Sequence, residues 1–61
     1  MEKEKLFLRF LTLAKLYFKE EQDTGFYAEQ LGISPVELSD ITMEHTGRSP
    51  SEWVKEMRKR A

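Results

Sequence analysis

Two six-residue words, "GISPVE" at 32–37 and "GRSPSE" at 47–52, constrain this chain more than any other feature. Each begins with a glycine, which takes the left-handed backbone of a helix end without steric cost. Each continues with Ser-Pro: a serine suited to cap the next helix, and a proline whose fixed φ and missing N–H suit the first helical position. Each ends on a glutamate three residues after the serine, the spacing of a capping box. A helix stop followed at once by a helix start, twice, permits only short connections, so the helices on either side must turn back on one another.

The stretches between these words carry helical periodicity. "KEKLFLRFLTLAKLYFKEE" has no Gly or Pro, and at about 100° per residue Phe7, Phe10, Leu11, Ala14, Tyr17 and Phe18 fall on one face. Leu6 and Leu13 widen that stripe, while Leu8 and Leu16 fall near its polar side. The surplus reads as a broad core face with stray exposed leucines, or else as Leu6, Leu13 and Leu16 contacting a further domain or another chain, a homo-oligomer through the first helix. "QDTG" interrupts the pattern, with Asp23 or Thr24 placed to cap the second helix. The expected helices run over about 3–21, 25–31, 35–45 and 50–60, with no strand candidate. The fold class is therefore all-α: one small bundle of about four helices over residues 1–61, containing a helix-turn-helix.

The helix-turn-helix is read from seven inner positions. Ala28 is small where two crossing helices approach, Gly32 sits at the reversal, and Leu38 follows on the second helix. Tyr27, Leu31, Ile33 and Ile41 supply the apolar inner faces. Trp53 lies at helical spacing with Met57 and is expected to pack beneath the turn. Met43 suits either the core edge or a contact surface.

With 61 residues and no cysteine, the chain has neither disulfide nor thiolate metal site. It buries only about 60 % of its unfolded surface, so packing and caps must hold it. No nucleophile–base arrangement, glycine-rich phosphate loop or second histidine accompanies His45. The expectation is no enzyme, no cofactor and no metal. Arg9 and Lys15 interrupt the apolar run of the first helix, which argues against a membrane span or a leader and for a cytoplasmic protein.

The net charge of −1 conceals a strong segregation. Residues 1–19 carry five bases against Glu2 and Glu4, a balance of +3. Residues 20–46 carry Glu20, Glu21, Asp23, Glu29, Glu37, Asp40 and Glu44 and no Lys or Arg, a balance of −7. Residues 47–61 return to +3 through Arg48, Lys55, Arg58, Lys59 and Arg60 against Glu52 and Glu56.

The words "FYAEQLGISP..LS......TG.SPSEWV" resemble the first helix-turn-helix of the AraC/XylS family of bacterial transcription regulators. Phe26, Tyr27, Ala28, Leu31, Gly32, Ser34, Pro35, Leu38, Ser39, Thr46, Gly47, Ser49 and Trp53 match its usual letters. So do Phe10, Leu13, Ala14 and Tyr17 before them and Arg58 after them. The resemblance implies one half of a two-unit DNA-binding region, with the fourth helix as the start of the linker between units. It implies double-stranded DNA as partner, with Val36, Ser39, Asp40 and Met43 facing the bases. Lys15, Lys19, Arg48 and Arg58 are candidates for phosphate contact.

The chain departs from that family where DNA is read. Glu37 stands where members usually have tyrosine, Asp40 where they usually have arginine, and Thr42 and Met43 where a basic or aromatic residue is common. Asp40 retains one readout, since an aspartate accepts from cytosine N4. What is lost is attraction to phosphate, which supplies nearly all non-specific affinity. Duplex binding by the isolated chain is accordingly expected to be weak. The alternative reading is a helix-turn-helix that has lost DNA readout and serves protein interaction or self-association.

Overall fold

The computed structural model describes residues 2–61. Four helices follow in order: α1 (Glu2–Tyr17), α2 (Thr24–Leu31), α3 (Pro35–Thr46) and α4 (Pro50–Arg60). The protein is all-α. Helix α2 packs on α3, α1 lies across both, and α4 docks mainly against α3. None of these helices is long and apolar enough to cross a membrane.

Helices α3 and α4 start where the Ser-Pro words place them. Ser34 Oγ accepts from the Glu37 N–H at 3.1 Å and Ser49 Oγ from the Glu52 N–H at 3.3 Å. Only half of each capping box forms: the return bond from the glutamate carboxylate to the serine N–H is not among the hydrogen bonds of the described residues. The two glycines end their helices differently. Gly32, at φ 71°, closes α2 with paired bonds, its own N–H to Glu29 O and the Ile33 N–H to Ala28 O. That double closure satisfies two terminal carbonyls and reverses the chain within residues 32–34. Gly47, at φ 74°, makes the simpler closure, one bond from its N–H to Met43 O at 2.9 Å. A Cβ at Gly32 would meet nothing within 4 Å, so the demand for glycine there is a backbone demand alone.

Two expectations at the first turn are corrected. Helix α1 stops at Tyr17, not near residue 21, and the chain continues through a turn in which the Glu20 and Glu21 N–H groups both donate to Tyr17 O. Two carboxylates at a helix C-terminus oppose its dipole, and the Tyr27 hydroxyl takes the Glu21 carbonyl at 2.7 Å. Asp23 occupies the N-cap position of α2 but makes no side-chain cap bond. Thr24 does not cap either: its hydroxyl lies 2.8 Å from that of Ser51, joining the start of α2 to the start of α4.

The core is Phe10 and Ala14 from α1, Tyr27 and Ala28 from α2, Leu38 and Ile41 from α3, and Val54 from α4. Phe10 meets the Tyr27 ring edge-on at 5.5 Å, and Phe26 joins Tyr17 and Tyr27 edge-on at 5.3 and 5.1 Å. Ala28 is 1 % exposed, as a small residue at a close helix approach requires. Leu31, Ile33, Trp53 and Met57 border the core half-buried. Thr42, the one polar residue buried with them among the described residues, satisfies its hydroxyl on Leu38 O one turn back.

Candidate functional site

The outer face of α3 is the surface that sequence singles out, and the packing leaves it free. Leu38, Ile41 and Thr42 turn into the core. Val36, Glu37, Asp40, Met43 and Glu44 are exposed, and Ser39 is half-buried beside them. Val36 and Met43 are large apolar side chains at 72 % and 50 % exposure, seven residues apart and so on one side of the helix. Asp40 sits between them in sequence, and Glu37 and Glu44 flank it along the adjoining stripe. The four proposed base-facing positions are thus together on one helix face.

The proposed phosphate contacts come from four different segments of the chain. Lys15 is exposed near the end of α1. Lys19 lies beyond α1, in the turn, with its Nζ 5.8 Å from the Phe18 ring centroid. Arg48 occupies the short link from α3 to α4 and pairs with Glu56 at 3.6 Å, an acid that also takes Arg60 at 3.8 Å. Arg58 is exposed on α4. The basic side chain that does reach α3 is one that sequence reasoning passed over: Lys3, whose Nζ lies 3.7 Å from Glu44. No local pattern announces it, because the two residues lie at opposite ends of the α1–α3 span.

The far end of α3 is fastened to α1 by a second unforeseen contact. The His45 ring stacks on Phe7 with centroids 4.5 Å apart and planes 10° from parallel, and its Nδ1 lies 2.9 Å from Ile41 O. His45 therefore has packing and hydrogen-bonding work at the end of the helix. Leu6 and Leu13 are half-buried, and Leu13 packs on the core. Of the three leucines singled out on the first helix, Leu16 alone is exposed, at 68 %, with Leu8 at 55 % two turns earlier.

Trp53 packs half-buried with Met57, its Nε1–H enclosed without an acceptor among the described residues. Together with Thr46, Arg48, Glu56 and Arg60 these two line an open groove of about 290 Å³ between the end of α3 and α4.

No protein-family model, curated protein or solved structure matches this chain.

Proposed function

We propose that the chain is a DNA-binding helix-turn-helix module of the AraC type, one half of a two-unit DNA-binding region, with α3 as an unusually acidic recognition helix. The observation that carries this is the pairing of a glycine-cornered α2–α3 unit, with Ala28 and Leu38 buried, and an α3 whose Val36, Glu37, Asp40 and Met43 stay exposed. A helix meant for the major groove must keep its first turns clear of its own domain. Val36, Ser39, Asp40 and Met43 would meet the bases. Asp40 would accept from a cytosine amino group, Ser39 would donate or accept, and Val36 and Met43 would lie against thymine methyls.

Charge sets the terms of this binding. Glu37, Asp40 and Glu44 repel phosphate, leaving Lys15, Lys19, Arg48 and Arg58 to supply attraction from the periphery. Few counterions are released in such a complex, so its affinity is low and its salt dependence shallow. Fluorescence anisotropy with labelled duplex at low salt tests the reading. Weak binding should appear by ~100 μM protein, the upper end of ordinary non-specific affinity. Glu37→Lys combined with Asp40→Lys should tighten it and steepen the salt slope by roughly two contacts. A folded chain that shows no binding at that concentration, with or without the lysines, would exclude duplex DNA as its partner.

A further inference from the structure

We propose that the same α3 face, quite apart from DNA, docks the basic outer face of α4 from a second copy of this chain. The two faces are complementary, and no ion pair joins them within the molecule among the described residues. On α4, Pro50 and Val54 turn into the core, which places Lys55 and Lys59 outward on successive turns with Arg58 beside them. Glu52 shares the start of that face and Glu56, already paired with Arg48 and Arg60, borders its last two turns, which leaves Lys55, Arg58 and Lys59 as its unpaired charges. Neither Lys55, Arg58 nor Lys59 has an acidic partner among the ion pairs of the described residues, which use Lys3, Arg48 and Arg60. On α3, Glu44 is matched by Lys3, whereas Glu37 and Asp40 are matched by nothing.

The spacing suits two-to-two pairing. Glu37 and Asp40 are about 4.5 Å apart along their helix axis, and Lys55 and Lys59 about 6 Å along theirs, at the usual rise per residue. Exposed charges alone contribute little, because each pair is solvated and screened. Here Val36 and Met43 run alongside the acids and offer apolar area for the lysine methylenes to cover, which raises the worth of the adjoining pairs by excluding water. If the contact is reciprocal, each chain gives one acidic and one basic face and the assembly closes as a dimer. Its α3 faces are then covered.

Sedimentation equilibrium on the full chain tests this without nucleic acid. The expected result is self-association at ~20 mM salt that weakens at least tenfold at ~500 mM, where the screening length falls to a few ångströms. Two charge-reversed proteins decide the surface: Glu37→Lys with Asp40→Lys, and Lys55→Glu with Lys59→Glu. All four positions are exposed, so both proteins should fold, as circular dichroism would verify. Each should be monomeric alone, and an equimolar mixture should recover association, since the reversed faces complement each other. A wild type that stays monomeric at low salt and ~1 mM protein would overturn the proposal. So would association indifferent to both reversals, or a mixture of the two folded proteins that stays monomeric. A monomeric wild type that nevertheless bound a helical Lys/Arg-rich peptide would assign the face to another protein in place of a second copy.

Discussion

Tyr27 shows how much one side chain can be asked to do. It is wholly buried, it meets Phe10 and Phe26 edge-on, and its hydroxyl closes the loop before α2 by donating to the Glu21 carbonyl. Burial, aided by the negative charge of Glu21, pushes its pKa up to about 12 from the ordinary 10. The unfolded chain therefore loses the phenolic proton near pH 10 while the folded chain keeps it, and the fold binds more protons across that interval. Stability should fall as pH rises between about 10 and 12, by up to ~1.4 kcal/mol per pH unit, and be unaffected by this group below pH 10. Urea melts of the wild type and Tyr27→Phe across that range would show the decline shrinking in the variant by this amount. The burial of Tyr27 is legible in its spacing with Ala28 and Leu31. Its partner at Glu21 is not, because the expected first helix ran through that residue.

At the scale of elements, caps and glycines decide where helices begin and end, and they act through single hydrogen bonds. Ser34→Ala and Ser49→Ala should each cost about 1 kcal/mol, the usual worth of a serine cap. Asp23→Ala should cost well under half of that, since Asp23 caps nothing through its side chain. Chemical denaturation of the three variants would separate the working caps from the nominal one. The starts of α3 and α4 are legible to the residue because a Ser-Pro pair carries both the cap and the fixed φ. The end of α1 is not, because "YFKEEQ" holds no glycine or proline. Its end is marked by two backbone bonds converging on Tyr17 O and by a tyrosine hydroxyl from the next helix donating to the Glu21 carbonyl, while Glu20 and Glu21 place negative charge against the helix dipole.

The described residues span 30 × 21 × 17 Å, thin enough that seven hydrophobic residues among them make up the fully buried core. At the usual ~0.05–0.15 kcal/mol per residue, a chain of this length holds only about 3–9 kcal/mol of stability. Leu38→Ala removes a fully buried side chain at the contact of α3 with α2 and α1, a change that commonly costs about 2–5 kcal/mol. The variant should lose most or all of its cooperative thermal transition, followed by circular dichroism at 222 nm. The outer faces of α3 and α4 are likewise a property of the whole, since Glu37 and Asp40 on one and Lys55, Arg58 and Lys59 on the other point away from this small core and pair with nothing among the described residues.

Local chemistry was sufficient to determine four helices, all four of their starts and three of their four stops to within a residue, and the glycine corner at 32. Those features depend on backbone φ, on single caps and on periodicity, all carried by neighbours in the chain. Only the tertiary structure decided that Lys3 comes to Glu44, that Phe7 stacks on His45, that Thr24 meets Ser51, and that Leu6 and Leu13 are sheltered while Leu16 is not. Such contacts join residues tens of positions apart, and their geometry is set by how the helices cross, which no local pattern records.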